Sequence, residues 1–305
     1  GGREAVCGGE DPMRLRRTKL YLPGNNPNML LRGHLFGPDG VILDLEDAVA
    51  MSEKDAARIL VRDVLKRGDF GDCEVTVRIN GMDTEYWKTD IETVVPCGID
   101  GIRIPKVEDP KDIALMDEAL SQIESKARIP VGRTLIFCLL ETALGVWRAF
   151  DIARASKRVA AICPGGEDLR ADLKTTRSEN SEELIGPRRM IALAAHAAGV
   201  DALDTVYADI TDDAGLRRET EWVKQLGFQG KSVIHPNQIP VVHDVFTPTA
   251  KEIEQAKKIV EAAAEAAARG LGAVQVDGRM VDKPVVKRAE YTLQRAGLKA
   301  GGEKA

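Results

Sequence analysis

Between Lys19 and Ile234, short apolar runs alternate with longer segments of helical period, and this alternation most narrows the folds open to the chain. It is the βαβ rhythm of a parallel sheet. The runs are Lys19–Leu22, Gly40–Asp44, Val75–Ile79, Gly101–Ile104, Leu135–Leu140, Val159–Cys163, Ala202–Tyr207 and Lys231–Ile234. That makes eight strands, the number that closes a (β/α)8 TIM barrel. The predicted fold is therefore α/β, a TIM barrel with a C-terminal helical extension.

Helix starts support the count. Ser52 with Asp55 follows the S/T-x-x-[DE] capping pattern and opens an amphipathic stretch to Lys66. Thr142 and Asp212 start other helices in the same way, and Pro110 suits a first helical turn. No long Gly/Ser or Pro-rich linker divides the chain, so residues 13–248 are read as one catalytic barrel. The extension, residues 249–300, begins near Pro248-Thr249. An Ala- and Glu-rich helix over Ala250–Arg269 is broken by Gly270-Leu271-Gly272. A short hairpin around Asp277-Gly278 and a last helix from Pro284 follow. With all eight barrel positions used, this segment is expected to cover a barrel end or reach a neighbouring subunit. Residues 1–12, Gly-rich and patternless before Met13, read as a leader outside the fold, and Gly301–Ala305 as a frayed tail.

A formal charge of -5 and the lack of a basic stripe with interleaved aromatics argue against a nucleic-acid partner. No apolar stretch approaches a membrane span, and the first residues lack a signal-peptide layout, so a cytoplasmic protein is expected. The five cysteines are odd in number and include no CxxC pair, which signals neither zinc nor a disulfide framework. Cys138 and Cys163 lie inside strand runs and read as small buried hydrophobes without a catalytic role.

Four of the runs end on charge: Leu43 runs into Asp44-Leu45-Glu46-Asp47, Val77 into Arg78-Ile79-Asn80, Leu140 into Glu141, and Cys163 through Pro164-Gly165-Gly166 into Glu167-Asp168. Charge at the carboxyl ends of successive strands is where a parallel barrel keeps its active site. Glu141 and Asp168 would come from adjacent loops, and two carboxylates suit magnesium, which keeps water or substrate oxygens in its remaining positions. Taken singly, each acid could instead cap the following helix or pair with an Arg. Arg78 is suited to a two-pronged grip on a substrate carboxylate, the alternative being an ion pair with Glu46 or Asp47. Lys106 is a possible further cation at the rim. The Gly24-Asn25-Asn26-Pro27 turn could offer backbone N–H groups to an anion, or be an ordinary βα turn. His235 at a strand end is a better functional candidate than His196, which reads as a helix-packing or surface histidine.

Leu20-Tyr21-Leu22-Pro23-Gly24-Asn25, Leu43-Asp44-Leu45-Glu46-Asp47-Ala48-Val49, Val77-Arg78-Ile79-Asn80, Ile104-Pro105-Lys106, Glu141-Thr142-Ala143 and Gly278-Arg279-Met280-Val281-Asp282 are individually weak motifs. In this order and spacing, over Arg17 to Leu298, they resemble the family of the citrate lyase β subunit, which includes citryl-CoA, malyl-CoA and citramalyl-CoA lyases. The resemblance implies a magnesium-dependent (β/α)8 barrel that cleaves a carbon–carbon bond in a 3-hydroxyacyl thioester. For citryl thioester, carried on CoA or on an acyl-carrier protein, the products are oxaloacetate and an acetyl thioester. It implies Glu141 and Asp168 as magnesium ligands, Arg78 and Glu141 as substrate-binding residues, and Asp282 as an acid reaching a neighbour's site to protonate the enolate. It further implies a homo-oligomer, trimer or hexamer, and partnership with citrate lyase α and γ subunits. The Gly165-Gly166-Glu167-Asp168 segment departs from some β subunits and leaves the carrier open. The rival expectations are a stand-alone malyl- or citramalyl-CoA lyase, a subunit that binds thioester without turning it over, and aldol cleavage of free hydroxy-ketoacids.

Overall fold

The structure, a computed structural model, describes residues 14–298; the expected leader at residues 1–12 and the tail at Gly301–Ala305 lie outside the described residues. Eight parallel strands close a barrel in sequence order: β1 (Thr18–Pro23), β2 (Gly40–Asp44), β3 (Glu74–Arg78), β4 (Gly101–Ile104), β5 (Leu135–Leu140), β6 (Val159–Pro164), β7 (Asp201–Asp204) and β8 (Gly230–Val233). Each apolar run of the sequence is a strand. β7 stops at Asp204 rather than Tyr207 because its pairing with β8 ends at Asp204 opposite Lys231, after which the Thr205 hydroxyl accepts a hydrogen bond from the Gly166 N–H at 3.0 Å.

Register positions the site. Pro23 lies opposite Asp44, Asp44 opposite Arg78, Arg78 opposite Arg103, and Arg103 opposite Phe137. Residues level with one another on parallel strands point to the same side of the sheet, so Asp44, Arg78 and Arg103 enter the barrel together. Phe137, Leu139, Ala161, Cys163 and Leu203 form an apolar cluster of their own, distinct from the large core that includes Val41, Leu43, Val77, Ile102 and Ile136. Near the amino ends of the strands Lys19 is ion-paired with Glu74, while Arg16 reaches Glu74 at 2.9 Å and Asp201 at 2.8 Å. Burial works to raise the Glu74 pKa, but Lys19 and Arg16 overcome it and hold the carboxyl down to about 2. Removing one member of such a buried set leaves an unpaired charge and costs about 3–5 kcal/mol.

The caps expected at Thr142, Asp212 and Pro110 form. Thr142 accepts from Gly145 N–H at 3.1 Å, Asp212 from Gly215 N–H at 2.8 Å, and Pro110 opens its helix behind an Asp109–Asp112 capping box. The Ser52 cap does not form. Met51–Glu53 is a 3-10 turn ahead of the helix Lys54–Arg67, and that helix has no side-chain cap. Its first residue, Lys54, instead donates to the carbonyls of Leu45 and Glu46 at 2.8 and 2.7 Å, tying the helix to the acidic loop.

A second compact unit takes in the described residues from Thr247 onward. Its helix Ala250–Ala268 starts on a Thr249–Glu252 capping box. Two antiparallel strands, β9 (Val274–Val276) and β10 (Arg279–Val281), are joined through Asp277 and Gly278 with φ of 49° and 76°. Such turns need positive φ at both central residues, which Asp-Gly tolerates. The helix Lys283–Arg295 completes the unit, and Ala256, Ala289 and Leu293 are its buried contacts.

Candidate active site

A cavity of about 420 Å³ at the carboxyl ends of the strands is lined by Tyr21, Asp44, Asp47, Arg78, Arg103, Glu141, Gly165, Asp168, Thr205 and Ser232, among others. Three of the residues proposed from sequence, Arg78, Glu141 and Asp168, therefore share one site. The fourth, Asp282, belongs to the C-terminal unit, where its Oδ1 accepts from Val285 N–H at 3.3 Å and caps the last helix.

Glu141 follows β5 directly and is 3% exposed. Its Oε2 accepts the Lys106 N–H at 2.9 Å, made possible by a left-handed backbone at Lys106, φ 52°. A non-glycine residue in that region carries a conformational cost, tolerated here where it aims a backbone donor. Burial pushes the Glu141 pKa up, and the like charge of Asp168 adds to the rise. Asp168 sits in the first turn of the helix Gly166–Asp172 and has no hydrogen-bond or ion-pair partner among the described residues. Glu167 beside it is different: it is exposed and pairs with Arg170 and Arg177.

Two carboxylates lining one cavity and interacting as like charges, Glu141 buried and Asp168 without a hydrogen-bond or ion-pair partner among the described residues, fit a hard divalent cation. No group of three or more Asp, Glu, His or Cys side chains suited to a metal converges among the described residues. Magnesium takes one or two protein carboxylates, which Glu141 and Asp168 would supply. Gly165 leaves the room: a Cβ there would overlap the Glu141 carboxylate and its Cγ. Gly165→Ala is thus expected to raise the magnesium concentration for half-maximal activity about tenfold or more, as displacement of a ligand's surroundings does. A metal titration with the same half-saturation as wild type would show that Glu141 tolerates the shift.

Arg78 is already engaged. Its Nε and Nη2 donate to the two oxygens of Asp44 at 2.7 and 2.6 Å, and Nη1 donates to Asp47 at 3.1 Å and lies 2.9 Å from Glu46. The ion pair weighed from sequence thus exists, with Asp44 as an added and dominant partner. Asp44 also accepts from the N–H groups of Glu46 and Ala48, so its carboxylate holds both the loop and the guanidinium. Burial first, then Asp47, Glu141 and Asp44, push the Glu46 carboxyl up to about 8 against the pull of Arg78. Arg78→Lys is expected to lower kcat/KM more than tenfold, about 1.4 kcal/mol, because an ammonium cannot span Asp44 and still face the cavity. Unchanged kcat/KM with a lower Tm would confine Arg78 to the ion-pair network.

Other sequence candidates fall away from the chemistry. The Gly24 and Asn26 N–H groups are taken by the Asp44 and Pro23 carbonyls, so that turn is no open anion nest. His235 Nδ1 accepts from Asn237 N–H at 3.2 Å in the turn after β8 and is not among the cavity residues, while His196 is exposed and bonds the Gly227 carbonyl. The Lys106 ammonium is half-exposed at the rim, its pKa raised against the effect of burial by Glu46, Asp168, Asp47 and Glu141. Cys138 and Cys163 are buried thiols whose pKa burial pushes up, which suits packing. Sequence reading did not single out Arg103 or Tyr21. The Tyr21 ring lies 5.1 Å from the Arg78 guanidinium and 5.4 Å from that of Arg103.

A parallel barrel with a hard-metal carboxylate pair beside arginines at its carboxyl end defines a metal-assisted enzyme acting on an anionic substrate. The chain belongs to the HpcH/HpaI aldolase/citrate lyase family, which its residues 17–236 match; residues 188–299 match the carbon–carbon bond lyases of the TIM-barrel fold. It is 44% identical to the citrate lyase subunit beta of Leuconostoc mesenteroides subsp. cremoris, over 93% of this chain and 94% of that one. It is 33% identical to the mitochondrial citramalyl-CoA lyase of Rattus norvegicus, over 92% and 86%. Among solved structures, the citrate lyase beta subunit of M. tuberculosis complexed with oxaloacetate and magnesium is 31% identical, with a TM-score of 0.65 over 78% of this chain and 99% of that one.

Proposed function

We propose that the chain is a magnesium-dependent carbon–carbon lyase that splits a citryl thioester into oxaloacetate and an acetyl thioester, the reaction of a citrate lyase β subunit. The observation that carries this is one cavity in which a carboxylate pair fit for magnesium stands with two guanidinium groups, a match for a substrate with a hydroxyl and two free carboxylates.

In the cleavage the substrate hydroxyl loses its proton and the bond from the carbinol carbon to the thioester methylene breaks. Its electron pair passes to the thioester as an enolate, and the carbinol carbon becomes the keto carbon of oxaloacetate. Protonation of the enolate carbon gives the acetyl thioester. Glu141 and Asp168 would hold the magnesium ion, which when bound supplies Lewis-acid stabilisation of negative oxygen. Arg78, fixed by Asp44, presents positive charge to the hydroxy-acid end. Asp282, reaching in from a neighbouring subunit, is the proposed acid for the enolate carbon.

Residues 13–248 are the proposed catalytic barrel and 249–300 an extension serving a neighbour's site. A homo-oligomer, trimer or hexamer, agrees with exposed Leu144, Trp147, Phe150 and Leu193, which lie on helices that pack together. CoA or an acyl-carrier protein carries the acyl group, and citrate lyase α and γ subunits are the proposed partners in the second case. Cys97, Cys138 and Cys163 are thiols, and a reducing, cytoplasmic setting is the proposed one. No helix among the described residues is long and apolar enough to cross a membrane.

Keto-acid release measured on citryl, malyl and citramalyl thioesters, each on CoA and on carrier protein, tests the reading. Oxaloacetate from citryl thioester is the expected product. Glyoxylate or pyruvate from the shorter substrates alone would make the enzyme a malyl- or citramalyl-CoA lyase, and binding without turnover would make it a non-catalytic subunit.

A further inference from the structure

Two arginines face the cavity, and they are in opposite states. Arg78 is surrounded by Asp44, Glu46 and Asp47. Arg103, its in-register neighbour on β4, is 2% exposed, yet among the described residues no carboxylate pairs with it and its Nε has no hydrogen-bond partner. Its guanidinium lies 5.4 Å from the centre of the Tyr21 ring. Glu74 does not compensate it, being shared by Lys19 and Arg16. A guanidinium out of water without a counter-anion is costly, and an orphaned donor adds to that cost. It is retained at low cost only where an anion arrives to meet it.

The proposed substrates differ by one such anion. Malyl and citramalyl thioesters carry a single free carboxylate, on the carbon that bears the hydroxyl. A citryl thioester carries that one and a second at the end of a methylene arm. The first shares its carbon with the hydroxyl and would be bound with it by Arg78 and by the magnesium ion that Glu141 and Asp168 would hold. The second needs a cation elsewhere in the cavity.

We propose that Arg103 binds this second carboxylate, retained in the product as the distal carboxylate of oxaloacetate, and so sets the preference for citryl over malyl and citramalyl thioesters. This deepens, and rests on, the proposed lyase reaction. Tyr21, stacked against both guanidinium groups, holds the fork of Arg103 apart from that of Arg78, so the two carboxylates of one substrate meet separate partners.

The test compares Arg103→Met, which keeps an unbranched side chain of similar length without charge, and Arg103→Lys with the wild type. The ratio of kcat/KM for citryl over citramalyl thioester is expected to fall about a hundredfold in Arg103→Met, the scale of losing one partner of a desolvated charge pair, and less in Arg103→Lys. Direct titration in the presence of magnesium should show oxaloacetate binding weakened far more than pyruvate binding. This second readout needs no turnover and stands if the variants are inactive. Equal loss of oxaloacetate and pyruvate affinity in both variants would make Arg103 a general structural element and overturn the assignment, as would an unchanged ratio. A wild type that releases nothing from citryl thioester would instead sink the lyase reading, while the oxaloacetate and pyruvate titrations still decide the role of Arg103.

Discussion

Glu141→Ala and Asp168→Ala enzymes are expected to lose magnesium-dependent cleavage, by about 10²–10³-fold or more in kcat, the scale seen when a preorganised charge is taken from a reacting centre. The two lesions should leave the fold largely intact for different reasons. Among the described residues Asp168 has no hydrogen-bond or ion-pair partner to orphan. Among the described residues, loss of the Glu141 carboxylate strands only the Lys106 N–H, a cost of about 1–3 kcal/mol. Calorimetric titration with magnesium should show binding in the wild type and none in either variant, with circular dichroism unchanged. Full activity of Glu141→Ala in chelator-treated buffer would remove the carboxylate pair from the reaction.

The second large effect is expected from Asp282→Asn, with near-complete loss of turnover and little loss of stability. Asp282 caps the helix Lys283–Arg295 through its Oδ1, and Asn caps a helix as well as Asp does. The substitution therefore removes the acid while keeping the cap, so lost activity cannot be ascribed to an unravelled helix. If the acid serves a neighbour, mixing inactive Asp282→Asn with inactive Glu141→Ala protein creates some sites with neither lesion, and activity should partly return. A tagged pull-down must first establish that subunits exchange. Given exchange, no recovery, or a fully active Asp282→Asn enzyme, would leave the C-terminal unit without a part in the chemistry.

The barrel strands were legible because their apolar runs face packed layers, and a continuous hydrophobic run survives in sequence as a plain signal. Glu141, Asp168 and Arg78 stand out in the sequence for the complementary reason, as abrupt charges at the ends of such runs, and the structure brings the three into one cavity. Arg103 was not, because a single charge inside Gly101–Ile104 carries no mark of which way it points; only the closed register sets it beside Arg78. The Ser52 cap was misread because the motif matches locally, whereas the helix start is fixed by Lys54 reaching carbonyls of the preceding loop. Sequence left the Gly24–Asn26 turn open between an anion-binding turn and an ordinary βα turn, because the Gly24 N–H is taken by the carbonyl of Asp44, a residue from the next strand.

The left-handed turn at Lys106 aims Glu141 with a peptide N–H rather than with a side chain, and this divides the labour at the rim. Any residue able to adopt that backbone keeps the hydrogen bond, so the ammonium above it can be exchanged without unseating the carboxylate. Lys106→Gly would even relieve the conformational cost while stripping a charge from the entrance. Entrance electrostatics and ligand orientation can therefore drift independently, which makes position 106 a place to retune how an anionic thioester approaches while the buried carboxylate stays in register.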